Sequence, residues 1–382
     1  MNNIAFLVSN IDPYIGGTER VTQTIAQNLS IKGYNVFFIF TSADNEDISK
    51  ERKLKINPDN SSEQIAKSIE EYIECHQIQV VIVVNRVFQS PKFQKVFLLL
   101  KQKTSVKLII SLHAAPDNWV NKNKLGLVLP KVYIKEAIKS LVFKFVNPHV
   151  IRVTASYKIA DKYLLLSKSY IKSFEDTYHI EDTAHKLIAI PNPCPFRDTF
   201  KDSNKENIVL VVSRMQEDQK RIYAVLKIWS LLYKDIPNWQ LYIVGDGPDL
   251  PIYKRIARKM DRVRFEGHSN KVQDYYKKSK IFMMTSIWEG LPMTLIEAMH
   301  YGCVPIAFDS FAALHDVIAD GQTGYIIDNN DLKDFVSKLK ALTNGKVEEM
   351  REHVLAQENK FDVEPIINIW DKELKNLCIT SR

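Results

Sequence analysis

The sequence predicts an α/β protein with two doubly wound, parallel-stranded domains, and three observations support this. Its 382 residues suit two domains of about 100–200 residues each. Short apolar runs alternate with amphipathic helical patterns in both halves, as in parallel sheets flanked by helices. A proline-rich stretch, IPNPCPF at Ile190–Phe196, separates the halves. Ligands bind beyond the carboxyl ends of such strands, so two facing sheets would line a cleft.

The first half begins with a strand at Ile4–Ser9 and an amphipathic helix at Val21–Lys32. The continuous apolar run at Val80–Asn85, VVIVVN, is typical of a strand buried on both faces. The remaining predictions for this half are strands at Asn35–Thr41 and Lys107–His113 and a helix at Glu63–His76.

The second half repeats this alternation. Strands are predicted at Asn207–Ser213, Trp239–Val244, Arg262–Glu266, Ile281–Thr285 and Val304–Phe308. Helices are predicted at Tyr223–Tyr233, Leu250–Met260, Val272–Lys278, Leu295–Tyr301, Asp331–Leu342 and Glu348–Cys378. The predicted domains are therefore an N-terminal domain over 1–190, a C-terminal domain over 191–355, and a terminal helix within 356–382 that crosses back to the N-terminal domain.

Positive charge is concentrated in one segment of a chain whose net charge is +7. Residues 92–186 hold 17 Lys and Arg against 7 Asp and Glu, which indicates an anionic partner such as phospholipid or a pyrophosphate. Within this segment, Tyr133–Phe145 has helical apolar spacing. Lysines accompany this pattern at Lys131, Lys135, Lys139 and Lys144. Such a helix suits an anionic membrane surface, or it packs on the core with a solvated lysine face. The segment lacks a nucleic-acid readout motif, so nucleic acid is not an expected partner.

Other features indicate a cytoplasmic protein that meets the membrane only at its inner face. The four cysteines are far apart and lack zinc-site spacing. The N-terminus lacks the basic region of a signal peptide, and no apolar run reaches the roughly 20 residues that span a bilayer.

The most specific motif is Trp288–Met299, WEGLPMTLIEAM, in which Glu289 and Glu297 are eight residues apart. Proline is favoured at the first helical position, so a helix is predicted to begin at Pro292. The backbone N–H groups of Met293, Thr294 and Leu295 would then be free donors for an anion. The two carboxylates could accept hydrogen bonds from sugar and ribose hydroxyls on either side of a phosphate.

The stretch WEGLPMTLIEAMHYGCVPIAF resembles the E-x7-E region of glycosyltransferase family 4, whose members are retaining enzymes of the GT-B fold. GGTERV resembles the family's glycine loop after the first strand, which makes Gly16 and Gly17 expected donor-binding residues. SLHAAP resembles its histidine motif, which implies that His113 contacts the donor sugar near the reacting carbon.

VSRMQEDQKRI resembles the family's strand followed by an arginine and a lysine, which implies that Arg214 and Lys220 bind the diphosphate. These two cations are called the diphosphate grip below. The family has glycine where this chain has Ser213 and Arg221, and the spacing is one residue longer. The choice between Lys220 and Arg221 therefore stays open. VGDGPDL resembles the family's glycine turn near the nucleotide, which adds Gly245 and Gly247 to the expected donor-binding residues. Gly267-His268 follows the next strand, where members of the family typically hold the base with backbone groups, and this resemblance adds His268.

The resemblance implies a hexosyltransferase that takes a nucleotide-sugar, expected to be a UDP-sugar. The stretch FDSFAALHDVI is similar to enzymes of bacterial surface polysaccharide synthesis, which implies a glycan or lipid-linked acceptor. The chain lacks a DxD motif, so no metal or other cofactor is expected. The alternatives are a nucleotide-sugar epimerase or phosphorylase on the same fold, and a non-catalytic partner that binds a nucleotide or a membrane.

Overall fold

A computed structural model of the protein describes residues 2–12, 16–42, 52–84, 86–117, 127–135, 148–196, 198 and 204–379. The chain divides into two compact units. The first unit comprises Met1–Pro116, Asn147–Pro195 and Phe361–Arg382, and the second comprises Asp117–Val146 and Phe196–Lys360. Residues 127–135 therefore group with the second unit, whereas the sequence-based boundary at 190 assigned them to the N-terminal domain.

The first unit contains a seven-stranded parallel sheet in the order β3-β2-β1-β4-β5-β6-β7. Its strands are β1 Asn3–Asn10, β2 Asn35–Ser42, β3 Lys53–Lys55, β4 Val80–Val83, β5 Lys107–Leu112, β6 Lys162–Leu165 and β7 Leu187–Ala189. Its helices are Gly17–Ile31, Ser62–Cys75, Pro91–Lys103, Pro148–Ile159, Ser169–Tyr178 and Val363–Ile379, with a 3-10 turn at Arg86–Gln89.

The second unit contains a six-stranded parallel sheet in the order β10-β9-β8-β11-β12-β13. Its strands are β8 Glu206–Val212, β9 Gln240–Val244, β10 Val263–Gly267, β11 Ser279–Met284, β12 Val304–Asp309 and β13 Tyr325–Asp328. Its helices are Glu217–Lys220, Ile222–Leu232, Leu250–Ala257, Val272–Lys278, Met293–His300, Leu314–Val317, Leu332–Ala341 and Val347–Ala356. A π turn, Leu342–Lys346, joins the last two, and a 3-10 turn follows at Glu358–Phe361.

Both sheets have the strand-order reversal of a doubly wound fold. In the first unit β1 lies between β2 and β4, and in the second unit β8 lies between β9 and β11. The loops that leave the two central strands diverge at such a reversal, which opens a crevice beyond their carboxyl ends. The predicted pair of parallel, doubly wound sheets is thus confirmed, and in the second unit the reversal falls between β8 and β11.

The last helix, Val363–Ile379, packs within the first unit. Lys32 Nζ lies 2.5 Å from Asn368 Oδ1, and the Tyr34 hydroxyl donates to Asp371 Oδ1 at 2.8 Å. The sequence pattern indicated one helical stretch from Glu348 to Cys378. Instead, the chain leaves the second unit between two separate helices.

The basic stretch predicted as a helix over Tyr133–Phe145 lies only partly within the described residues. Positions 130–135 are helical, and Lys139 and Lys144 lie outside the described residues. Lys131 pairs with Asp249 at 2.7 Å, and Lys135 lies 3.7 Å from Asp218. Among the described residues, we find no helix that is both long and apolar enough to cross a membrane.

Candidate active site

The candidate site of the second unit is built around an ion pair between the loops that follow β8 and β11. Lys220 ends the short helix Glu217–Lys220 behind β8, and Glu289 lies in the loop behind β11. Lys220 Nζ lies 2.5 Å from Glu289 Oε1, and the two side chains are 15% and 10% exposed. An ammonium group has three N–H donors, so Lys220 can hold Glu289 and still donate to a phosphate oxygen.

Arg214 is joined to the same two loops through Gln219. Arg214 Nη2 donates to Gln219 Oε1 at 3.1 Å, and Gln219 Nε2 donates to the carbonyl of Trp288 at 3.3 Å. The backbone N–H of Ile287 in turn donates to the carbonyl of Gln219 at 2.7 Å. The structure thus brings Arg214 into the same loop system as the ion pair. Gln219 itself was missed because a glutamine between two charged motifs has no distinctive sequence signal.

Arg221, the other cation that the sequence left open, is fully buried. Its backbone has φ 52° and ψ 47°, the left-handed region that costs a non-glycine residue about 1–2 kcal/mol. This geometry explains why the family pattern places glycine here. The Arg221 side chain turns into the protein, where Nε donates to the carbonyl of Thr285 at 2.8 Å. Burial lowers the pKa of Arg221 to about 10, which still leaves it charged at neutral pH. Lys220 is the partly exposed member of the two.

The helix that follows Glu289 in the chain begins at Met293, with Pro292 as its N-cap. The Met293 N–H donates to the carbonyl of Leu291 at 2.8 Å, and the Leu295 N–H donates to that of Pro292 at 3.0 Å. The expectation of three free donors is therefore wrong for Met293 and Leu295, because the tight first turn satisfies them internally. Thr294 lines a small open pocket at this helix start.

This pocket lies in the crevice between β8 and β11. Its wall includes Lys220 from one loop and Thr285 and Ser286 from the other, together with Thr294. The remaining lining residues come from the strand ends and the helix start: Val211, Val212, Ser213, Ile222, Phe282, Met283 and Met284. The pocket is therefore placed at the strand-order reversal, where a doubly wound sheet binds ligands.

Glu297, the second carboxylate of the motif, is 2% exposed. The hydroxyl of Tyr276, which is itself fully buried, donates to Glu297 Oε2 at 2.9 Å. Glu297 lies on the buried side of the helix Met293–His300, one turn beyond its start.

Gly245 and Gly247 let the loop that follows β9 in the chain lie directly against the loop that follows β8. A Cβ atom on Gly245, which has φ 132°, would lie 1.9 Å from the carbonyl oxygen of Ser213. One on Gly247, at φ 154°, would lie 2.7 Å from the carbonyl oxygen of Met215. The Met215 N–H donates to the carbonyl of Asp246 at 2.8 Å. The two glycines therefore allow close contact with the backbone of Ser213 and Met215, the residues on either side of Arg214.

The end of β10 and the loop that follows it lie next to the loop that follows β9. The Gly245 N–H donates to the carbonyl of Gly267 at 2.7 Å. His268 follows Gly267, is exposed, and has Nε2 3.1 Å from Asn270 Oδ1. The expected site residues of the second unit thus lie in the loops that follow β8, β9, β10 and β11 or in the short helices that follow β8 and β11.

The first unit carries the other three expected site residues. Gly16 precedes the helix Gly17–Ile31 with extended backbone, and a Cβ atom there would meet the flexible end of Glu19 at 2.6 Å. A Cβ on Gly17 would meet no described atom within 4 Å. His113 directly follows β5, and burial lowers its pKa to about 4. It is therefore a neutral imidazole at physiological pH.

A buried carboxylate that sequence reasoning missed, Glu217, lies at the start of the helix that ends in Lys220. Glu217 accepts hydrogen bonds from the N–H of Leu129 at 3.2 Å, the N–H of Tyr223 at 3.0 Å and the hydroxyl of Tyr253 at 2.7 Å. Burial raises its pKa to about 7. Glu217 thereby ties the 127–135 stretch to the helix that carries Lys220. Two of these three donors, Leu129 and Tyr253, are distant in sequence, so no local pattern identifies it.

The described residues contain no group of three or more His, Cys, Asp or Glu side chains placed to hold a metal ion. Asp246, a carboxylate of the loop behind β9, accepts a hydrogen bond from the N–H of Gly247 at 2.7 Å instead. The polar side chains that line the pocket are one cation, Lys220, and the hydroxyl groups of Ser213, Thr285, Ser286 and Thr294, which suit an anionic ligand.

Comparison with known proteins identifies a family model that matches part of the second unit. Residues 196–360 match the family model described as Glycosyl transferases group 1. Along nearly its full length, the chain is 24% identical to a Campylobacter jejuni enzyme named GalNAc-alpha-(1->4)-GalNAc-alpha-(1->3)-diNAcBac-PP-undecaprenol alpha-1,4-N-acetyl-D-galactosaminyltransferase. That similarity covers 98% of this chain and 100% of the relative.

Among the solved structures that resemble the whole chain are two transferases. The lipopolysaccharide outer core galactosyltransferase WaaB, in its apo form, is 19% identical with a TM-score of 0.72, and the match covers 100% of both chains. The pneumococcal O-GlcNAc transferase GtfA, in complex with UDP and GlcNAc, is 13% identical with a TM-score of 0.73 over 99% of both chains. The predicted GT-B fold is confirmed, and so is the enzyme class: the protein is a glycosyltransferase.

Proposed function

We propose that the protein transfers a hexosyl group from a UDP-sugar, with retention of configuration, to a glycan or lipid-linked acceptor in bacterial surface polysaccharide synthesis. The observation that carries this proposal is the Lys220–Glu289 pair beside Arg214 at the ends of β8 and β11. The UDP in the GtfA structure supports the choice of base. The undecaprenol in the name of the Campylobacter relative and the lipopolysaccharide in that of WaaB support the acceptor class.

In this proposal the second unit holds the donor. Arg214 and Lys220 donate to the diphosphate oxygens, and Thr294 at the helix start adds a hydroxyl and the positive end of the helix dipole. Glu289 accepts from hydroxyl groups of the sugar, and Glu297 accepts from the ribose. The first unit would hold the acceptor, and Gly16, Gly17 and neutral His113 keep the donor-binding roles that their motifs imply.

The reaction breaks the bond between the anomeric carbon and the diphosphate oxygen. The acceptor oxygen forms the new bond on the same face, and its proton passes to the departing phosphate oxygen. Negative charge grows on the leaving group, so fixed cations stabilise the transition state more than the ground state. With Arg214 and Lys220 in this role, we propose that transfer requires neither a divalent ion nor another cofactor. Activity should then survive EDTA.

The test is transfer from labelled donors by the purified full chain. Thermal-shift measurements with UDP, GDP and ADP identify the base, because a ligand that binds only the folded state raises the melting temperature. Labelled UDP-hexoses are then offered with lipid-linked oligosaccharide, and NMR gives the anomeric configuration of the product. Epimerised donor without acceptor would contradict the proposal, as would a product of inverted configuration or binding of UDP without any turnover.

We also propose that the protein works at the cytoplasmic face of the membrane, where residues 92–186 meet anionic lipid. The charge excess of this segment supports the proposal. So does the exposure of Tyr133 and Ile134, which are 53% and 59% exposed next to Lys131 and Lys135. Each lysine near an anionic surface contributes about 1 kcal/mol.

The membrane test is cosedimentation with vesicles of phosphatidylglycerol or phosphatidylcholine. Lys131, Lys135 and Lys139 changed together to Glu should release the protein from the anionic vesicles. The matched control changes Lys254, Lys259 and Lys333, exposed lysines of the second unit, to Glu. Equal binding by both variants, or binding that does not weaken with salt, would contradict the proposal.

A further inference from the structure

The guanidinium group of Arg221 joins three loops at the carboxyl end of the second sheet. Nε donates to the carbonyl of Thr285, behind β11, and Nη2 donates to the hydroxyl of Ser310, behind β12, at 3.2 Å. Nη1 donates to Asn329 Oδ1 at 2.9 Å and to Asn330 Oδ1 at 2.8 Å, both behind β13. These loops are distant in sequence, so a single side chain sets their spacing.

The same network reaches the backbone of Lys220. The hydroxyl of Thr285 lies 3.0 Å from the carbonyl oxygens of both Lys220 and Arg221. Thr285 follows β11 and precedes Glu289 by four residues. The Lys220 peptide is therefore held against the strand end that leads into the loop of its ion-pair partner.

The conformation at position 221 points to a role for this side chain. A left-handed backbone favours glycine, yet the chain has an arginine there. That arginine lies with its guanidinium carbon 4.7 Å from the centre of the Phe308 ring, fully buried. A strained backbone that carries a buried cation persists where the surrounding contacts fix it, and such positions cluster at functional sites.

We propose that Arg221 is a positioning residue: by joining the loops behind β11, β12 and β13, it holds Lys220 toward Glu289 and thereby shapes the diphosphate grip. This inference rests on the proposed role of Lys220 in binding the diphosphate. It assigns Arg221 no contact with the substrate. Its effect on the reaction passes through the Lys220 ammonium group.

The test is a double-mutant cycle with UDP affinity measured by calorimetry on the full chain. The variants are Arg221→Gly, Lys220→Ala and the double variant. Because Arg221 acts through Lys220, Arg221→Gly should weaken UDP binding about tenfold in the wild-type background and less than about twofold once Lys220 is Ala. The same pattern should appear in the KM for the donor, since contacts to the donor shape its binding.

Arg262→Gly is the matched control. Arg262 also has a left-handed backbone, with φ 59°, and its Nε donates to the carbonyl of Trp239 at 3.0 Å. Its removal should lower the melting temperature while UDP affinity stays unchanged. Arg221→Lys, which keeps the charge but loses the planar fork, should recover part of the affinity and serves if Arg221→Gly does not fold.

The outcomes separate the two proposals. If Arg221→Gly binds UDP like wild type, or weakens binding equally in both backgrounds, the positioning role is overturned and the diphosphate grip is untouched. If Lys220→Ala leaves UDP affinity unchanged, the proposed grip is overturned, and the positioning role falls with it. If Arg221→Gly weakens UDP binding only when Lys220 is present, and Lys220→Ala weakens it as well, both the grip and the positioning role are supported.

Discussion

Lys220 and Glu289 form an ion pair, 2.5 Å from Nζ to Oε1, that joins the two strand ends at the reversal of the second sheet. Both side chains are mostly withdrawn from water, so removal of one leaves the other charge poorly solvated. The pair holds the cation at a defined position before any ligand arrives. Such preorganisation means that less reorganisation is needed during the reaction.

Lys220→Ala, Glu289→Ala and Arg214→Ala should each lower kcat by about 10²-fold or more. The first and third remove a cation that stabilises the charge on the leaving group, and Glu289→Ala removes the acceptor for the sugar hydroxyls and the ion-pair partner of Lys220. Steady-state transfer assays check this. Lys227→Ala and Glu352→Ala, exposed residues of the second unit, are the controls and should retain wild-type rates. Wild-type turnover in all three site variants would reject the site.

Gly245→Ala should destabilise the protein far more than Gly33→Ala. Both positions have positive φ, 132° and 93°, but an added Cβ meets the Ser213 carbonyl at 1.9 Å in the first case and no described atom within 4 Å in the second. Gly33→Ala should therefore cost about 1 kcal/mol, the strain alone, and Gly245→Ala several kcal/mol. Denaturant unfolding compares them. Equal losses would show that the loops behind β8 and β9 separate easily.

Glu217→Gln should change how stability depends on pH. The folded-state pKa of Glu217, about 7, lies above its ordinary value of 4.5, because burial disfavours the carboxylate. The folded protein therefore holds this proton more tightly than the unfolded chain. The resulting stability is fully present below about pH 4.5 and is lost as the pH rises through about 7. The shift corresponds to on the order of 3 kcal/mol.

Glutamine stays neutral throughout, so the variant should gain stability relative to wild type as the pH rises from 5 to 8. Melting temperatures across this range measure the difference. Glu352→Gln, at an exposed position, should follow wild type at every pH. A constant gap between Glu217→Gln and wild type would mean that the three hydrogen bonds keep Glu217 ionised throughout.

His113→Asn should lower kcat without changing the shape of the pH–rate profile between pH 5 and 8. The pKa of His113 is lowered to about 4 by burial, so this imidazole does not titrate in that range. Profiles of kcat/KM for wild type and variant provide the measurement. A limb near pH 6.5 that disappears in the variant would show that the histidine titrates there.

The strands most readily predicted were the long apolar ones. VVIVVN and NIVLVVS are continuous apolar runs, as is typical of central parallel strands, and β4 and β8 lie at those places. β6 and β13, KYLL and YIID, were missed because four residues of mixed polarity have no distinctive period. Their pairing is set by neighbouring strands that are distant in sequence.

The residues of the candidate site also differ in how well the sequence predicts them. Glu289 and Lys220 stand in motifs whose local pattern, a strand end followed by a loop and a helix start, is visible in the sequence. Gln219, Glu217 and the network of Arg221 depend on contacts over 64 to 109 residues of chain, which no local pattern encodes. Only the fold shows which carbonyl or amide each of these side chains reaches.

The helix Val363–Ile379 is part of the first unit, although the chain reaches it only after the second unit. During synthesis, the partner surface that includes Lys32 and Tyr34 leaves the ribosome more than 300 residues before Asn368 and Asp371. One flank of the first unit therefore stays uncovered until the second unit has been synthesised. Completion of the first unit is thus tied to production of the second, and a fragment ending at the proline-rich stretch would lack that cover permanently.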